Sequence, residues 1–161
     1  MTPNDGALLT IDPGVHACGC AIFARGRLVK AAYVKTNDPN TLAQAVVDFQ
    51  TGYFATHVAI ERQRIYDGGR KQKIDLNDLL DLSRVVGRLE ERYRSWPAQL
   101  IYPQDWKGQV PKEIMTKRIQ RALTPDEMAV IVSAGSKDHN TFDAIGIGLF
   151  VLGRCKVGCP K

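Results

Sequence analysis

Three acidic residues far apart in the chain each stand at the rim of an apolar run, and this placement constrains the fold more than any other feature. Asp12 ends Ala7-Leu8-Leu9-Thr10-Ile11-Asp12 and is followed by Pro13-Gly14; Glu61 ends His57-Val58-Ala59-Ile60-Glu61; Asp143 opens Asp143-Ala144-Ile145-Gly146-Ile147-Gly148-Leu149-Phe150. A carboxylate at the end of a buried strand or helix loses hydration unless something compensates it. Three such acids point to one shared compensator, and the simplest is a divalent metal ion.

The order of elements follows from apolar period and turn chemistry. Strands are expected over Leu8–Ile11, Cys18–Phe23 and Leu28–Val34, broken at Pro13-Gly14 and turned at Arg25-Gly26. A helix over Thr41–Gln50 has Leu42, Val46 and Phe49 on one face, and a short buried strand covers His57–Glu61. Residues Arg62 to Lys73 read as a basic loop, Leu76–Arg94 as a long helix with a broad apolar face, and Gln99–Tyr102 as a strand. Pro103–Pro111 reads as irregular, Lys112–Leu123 as a basic helix, and Thr124-Pro125-Asp126-Glu127 as a capping signal for a helix through Val132. The last helix is expected from Asn140 to Leu152. Hairpin-linked strands followed by alternating strands and helices predict an α/β fold, a mixed five-stranded sheet flanked by helices, as one domain over residues 1–161.

If the first and fourth strands are neighbours, Asp12 and Glu61 project from adjacent strand ends and Asp143 approaches from the side. Crowded carboxylates repel unless cations separate them. Their hard oxygens select Mg²⁺, with Mn²⁺ as a substitute, over zinc. Two such ions about 3.5–4 Å apart would activate a water and stabilise the leaving oxygen in phosphodiester hydrolysis. A fourth group is open among Asp138, His139 and Asn140. His139 and Asn140 share a helical face with Asp143, His139 could also act as a base, and Asp138 or Asn140 serves equally well as a helix N-cap.

Charge agrees with a polyanionic substrate. The 161 residues carry 22 Lys and Arg against 17 Asp and Glu, a net charge of +5. If several acids are gathered in one site, the remaining surface is more basic than that total. No apolar run is long enough to span a bilayer. Residues Met1–Gly6 lack a basic n-region and a long apolar h-region, so a cytoplasmic location, nucleoid-associated or within a virus-infected cell, is the default expectation. Cys18 and Cys20 share one strand face and read as small buried residues. Together with Cys155 and Cys159 they match zinc-site spacings poorly.

Ile11-Asp12-Pro13-Gly14, Ala59-Ile60-Glu61 and His139-Asn140-Thr141-Phe142-Asp143-Ala144-Ile145-Gly146 together resemble the RuvC-type Holliday-junction resolvases of the RNase H-like nuclease superfamily. The resemblance runs from Leu8 to about Arg154. It implies an Mg²⁺-dependent endonuclease, a homodimer that binds four-way DNA junctions and nicks two strands symmetrically. The family's acids carry over to Asp12, Glu61 and Asp143. Its remaining ligand, an Asp or His three residues before the last Asp, falls on Asn140. That departure leaves three readings: His139 takes the role, activity is reduced, or the chain carries an Asp-to-Asn change; Asn140 also motivates a separate reading, a protein that binds junctions without cutting them. A nucleotide-binding module of the actin or sugar-kinase type, suggested by Asp12-Pro13-Gly14 alone, needs two lobes where this chain has room for one.

Candidate DNA contacts follow from charge. Arg62, Arg64, Arg70, Lys71 and Lys73 lie just after Glu61 and could line phosphates, unless they form a merely solvated loop. Tyr66 could stack on a base at an opened junction. Lys107 could reach the scissile phosphate, while Trp106 is expected in the core. Lys112, Lys117, Arg118 and Arg121 suit a DNA arm. His16 and His57 are not expected as ligands. Leu79, Leu82, Val86 and Leu89 of the long helix serve either a dimer contact or the core.

Overall fold

The computed structural model describes residues 6–63, 75–96, 98–135 and 138–155. Its sheet has five strands in the order β3-β2-β1-β4-β5. These are β1 (Ala7–Pro13), β2 (Ala17–Ala24), β3 (Arg27–Lys35), β4 (Ala55–Glu61) and β5 (Ala98–Ile101). The first three are antiparallel neighbours, whereas β1–β4 and β4–β5 are parallel. The mixed sheet and the adjacency of the first and fourth strands are therefore as expected. Between β2 and β3 the chain turns at Arg25 (φ 50°) and Gly26 (φ 73°), two left-handed residues whose twist matches that of the strands they join.

The helices are α1 (Leu42–Phe49), α2 (Leu76–Arg92), α3 (Pro103–Trp106), α4 (Lys112–Ala122), α5 (Pro125–Ser133) and α6 (His139–Val151). The period-2 alternation of the strands sorts them into two layers. Leu9, Ile11, Cys18, Cys20, Ile22, Val58 and Ile60 face α1 and α2, forming a core with Val46, Val86 and Leu89. Leu8, Ala21, Phe23 and Ala59 face the other way, onto Ile145, Ile147 and Leu149 of α6. Helix α6 is buried on nearly every side because the sheet lies beneath it and α4 packs beside it.

Three expectations change. Pro103–Trp106 is a helical turn, not irregular chain, with Pro103 at its first position and the Asp105 side chain bonded to the Tyr102 amide. Of the apolar face of α2, Val86 and Leu89 belong to the core and Leu79 and Leu82 are half-buried. The large apolar side chains that α2 exposes are Leu76 and Leu80. The last helix begins one residue earlier, at His139, because the Asp138 carboxylate accepts from the Asn140 amide at 2.8 Å and caps it. The predicted capping box is present: Glu127 N–H donates to Thr124 Oγ1 at 3.3 Å and Thr124 N–H to Glu127 Oε2 at 2.9 Å.

Glu127 also receives the Leu28 amide at 2.8 Å and both guanidinium nitrogens of Arg154, at 2.6 and 2.7 Å. This buried fork ties the chain after α6 to α5 and to the β2–β3 hairpin. No helix among the described residues is long and apolar enough to cross a membrane.

Candidate active site

The α6-facing side of the sheet carries the candidate acids. Ile11 pairs with Ile60 in the parallel β1–β4 ladder, so Asp12 and Glu61 follow at neighbouring strand ends. Both are on the same face as Leu8, Thr10 and Ala59, and both are buried, Asp12 to 8% exposure and Glu61 to 2%. Across the antiparallel ladder from Asp12 stands Gly19. A Cβ there would collide with the Asn140 carbonyl, so this glycine lets the start of α6 lie directly on β2. Thr10 Oγ1 donates to the Ala144 carbonyl at 2.7 Å and fixes the helix one residue beyond Asp143.

A lysine joins the acids. Lys107 Nζ donates to Asp143 Oδ2 at 2.9 Å and lies 3.4 Å from Glu61 Oε2. It also sits 4.8 Å from the centroid of the Trp106 ring. Glu61 is held further by Trp106 Nε1 at 2.8 Å and Gln63 Nε2 at 3.0 Å. Burial, and then repulsion from Glu61 and Asp143, push the Asp12 carboxyl well above its usual range, against attraction from Lys107 and Lys112. Burial also raises Glu61, although Lys107 and the Trp106 hydrogen bond oppose it. Burial alone would lower the Lys107 ammonium, but Glu61 and Asp143 outweigh it and hold that group above its ordinary value.

Among the described residues no three His, Cys, Asp or Glu side chains stand arranged to hold a metal ion as they are placed. The ammonium of Lys107 bridges Glu61 and Asp143 instead. The donor chemistry nevertheless fits a hard divalent cation. Glu61 and Asp143 both bear on the buried Asp12 carboxyl, and Lys107 is the cation that touches Glu61 and Asp143, so the site gathers hard oxygen donors from three elements. Asp12, Glu61 and Asp143 are the oxygens that would hold such an ion, in competition with Lys107.

The other candidates separate. Asp138 caps α6, His139 is exposed, and Asn140 is half-buried with its main chain against Gly19. Lys112 opens α4 near enough to act on Asp12, and Lys117 and Arg118 are exposed on the same helix. Arg62 lies with Gln63 along a shallow groove also lined by Leu82, Ser83, Val86 and Glu90. Arg64, Tyr66, Arg70, Lys71 and Lys73 lie outside the described residues. His16 is exposed in the β1–β2 connection, and His57 lies within β4, four residues before Glu61. Cys18, Cys20 and Cys155 are free thiols, and burial pushes the Cys18 thiol up to about 12, which disfavours a thiolate metal ligand. Trp106 is in the core as expected, but its indole N–H also reaches the site, which hydrophobic period does not reveal.

No protein-family model and no curated protein matches the chain. Solved structures do. Thermus thermophilus RuvC in complex with Holliday junction substrate matches with a TM-score of 0.53 at 19% identity, over 94% of this chain and 97% of that one. The yeast mitochondrial Holliday junction resolvase Ydc2 matches with a TM-score of 0.62 at 12% identity, over 96% of this chain and 80% of that one. Fowlpox virus resolvase, solved with substrate Holliday junction DNA, matches with a TM-score of 0.54 at 16% identity, over 91% of this chain and 97% of that one. The resemblance carried by the three acid-bearing motifs thus extends to the architecture, and the chain has the fold of the RuvC-type Holliday-junction resolvases.

Proposed function

We propose that this protein is a structure-specific endodeoxyribonuclease that cuts four-way or otherwise branched DNA by cation-dependent phosphodiester hydrolysis. The observation that carries the reading is the meeting of Asp12, Glu61 and Asp143 at one end of the sheet, in a fold shared with resolvases, two of them solved with Holliday junction DNA. A hard divalent ion bound there would supply charge neutralisation and water activation. The chain's own residues supply the rest. Asp12, Glu61 and Asp143 offer oxygens from three different elements, and Lys107 offers a cation able to meet a phosphate oxygen. The exposed basic residues Lys112, Lys117 and Arg118 on α4 give the backbone of a DNA arm a positive surface. A homodimer would present two such sites to a two-fold substrate, and exposed Leu76 and Leu80 on α2 are consistent with that assembly.

The deciding experiment uses end-labelled synthetic four-way junction, fork and linear duplex with Mg²⁺ or Mn²⁺. Paired nicks at symmetric positions of the junction, abolished by Asp12→Asn with junction binding retained, are the expected result. Equal cutting by Asp12→Asn would reject the site.

A second reading is a junction-binding protein that does not cut. It is favoured by the Lys107 bridge between Glu61 and Asp143 and by the neutral Asn140 where the family's remaining ligand falls. It expects tight junction binding with no product under either metal, and cutting gained by Asn140→Asp.

A further inference from the structure

We propose that Trp106 is a positioning residue, which fixes the Glu61 carboxylate through its indole N–H and sets the spacing between Glu61 and α6 through its ring. The proposal rests on the nuclease reading and extends it to a residue outside the acid set.

The indole is fully buried, and its Nε1 donates to Glu61 Oε2 at 2.8 Å. An indole N–H can only donate, so this partner cannot take up a proton or become a metal ligand. It is a neutral anchor for a charged group, in a setting where a hydrogen bond to a carboxylate is strong. Gln63 holds the other oxygen at 3.0 Å. The two donors together take the rotational freedom from the carboxylate.

The ring meets α6 at Gly146, where a Cβ would overlap it. Gly146 lies three residues beyond Asp143, on the same face of the helix. One rigid side chain therefore spans from the end of β4 to the helix that carries the third acid. Lys107, the next residue, takes Asp143. Consecutive residues thus hold the two carboxylates that come from different layers. A purely apolar role would need the ring's area alone, and a phenyl ring supplies most of that. The N–H aimed at Glu61 is what distinguishes the two roles.

The test compares wild type with Trp106→Phe, using Trp96→Phe as the control. Outer-shell partners of this kind typically change metal affinity or rate by about 10–100-fold. For Trp106→Phe, junction cutting at saturating Mg²⁺ should fall at least about tenfold and the half-saturating Mg²⁺ concentration should rise, with junction affinity nearly unchanged; the melting temperature falls as well, because a buried ring shrinks and Glu61 loses a donor. Cutting and Mg²⁺ dependence within about twofold of wild type would overturn the proposal. If Trp106→Phe does not fold, benzothienylalanine at position 106 keeps the bicyclic shape and removes only the N–H, and the same outcomes apply.

A second readout needs no cutting. The chain has two tryptophans, so its indole ¹⁵N–¹H spectrum should carry two signals. The Trp106 signal should move in Glu61→Gln, and a signal that stays in place would overturn the proposal. Failure of wild type to cut with any divalent ion would count against the nuclease reading instead, and the indole signal would still judge the Trp106–Glu61 contact.

Discussion

The Lys107 ammonium lies 2.9 Å from Asp143 Oδ2, so the chain supplies one cation of its own to the acid site. With Glu61 3.4 Å away, that cation is shared by two carboxylates from distant parts of the sequence. Lysine can therefore play two parts. It offsets part of the site's negative charge when no other cation is bound, and it is free to meet a phosphate when one is.

Lys107→Met should expose this dual part. Removing the ammonium leaves the buried Glu61 carboxylate and the part-buried Asp143 carboxylate facing each other. Without divalent ions the protein should lose about 1–3 kcal/mol, less than for a fully buried pair because Lys107 is partly exposed. Mg²⁺ should restore much of the loss by binding the folded state alone. Thermal melts in chelator and in Mg²⁺ measure both. An identical shift in the two conditions would mean that the lysine and the ion do not compete.

Asp12→Asn should stabilise the protein near neutral pH while it stops cutting. A carboxyl whose folded pKa lies above its unfolded value binds protons more readily when folded. Its contribution is present at low pH and is lost as pH rises from the ordinary carboxyl range through the raised value. At neutral pH the raised carboxyl opposes folding, and the neutral amide removes that opposition. Urea midpoints against pH, in chelator, should rise above wild type only on the neutral side.

The Glu127–Arg154 fork predicts the opposite pH behaviour. The Glu127 carboxyl is lowered to about 2; burial pushes it up, but the Arg154 and backbone hydrogen bonds outweigh that. A lowered acid contributes stability above its unfolded pKa and loses it as pH falls from 4.5 toward about 2. Arg154→Leu should destabilise the protein at pH 7 by about 2–4 kcal/mol, since Glu127 would stay buried without its main partner. The acid-induced transition should flatten in the same variant. Circular dichroism across that pH window checks it.

Tyr93→Phe should leave stability unchanged or raise it by about 1 kcal/mol. The Tyr93 hydroxyl is buried with no hydrogen-bond partner among the described residues, and its ring already packs edge-on against Trp96 with centroids 5.9 Å apart. Chemical denaturation of the two forms is sufficient to compare them.

The sheet and the three acids were legible because both depend on short-range pattern. Short apolar runs at Leu8–Ile11 and His57–Glu61 mark buried strands, and the acid that ends each run lands on a face fixed by counting residues from the core. Asp143 was legible because it opens an apolar run. Trp106 was not legible as a site residue, since a hydrophobic pattern sees an indole as apolar area and does not see its N–H. Helix α3 is not legible because it is a single turn, too short to show an apolar period, although Pro103 with Asp105 two residues on is a helix start. The bridging position of Lys107 depends on the meeting of β4, α3 and α6, which no local window contains. Leu76 and Leu80 were not singled out on α2, because a broad apolar stripe does not show which part of it the sheet covers.

Gly19 carries a wider consequence. The distance between the sheet and α6 is set there by a side chain that does not exist, since even one methyl group would strike the Asn140 carbonyl. The site's dimensions thus rest on contact between two stretches of bare main chain, joined across more than a hundred residues of sequence. Such a contact admits no compensating side-chain change on its own surface. Any enlargement at this point would lift the start of α6 and carry Asp143 away from the strand ends, so the nuclease chemistry proposed here would be lost before the fold was.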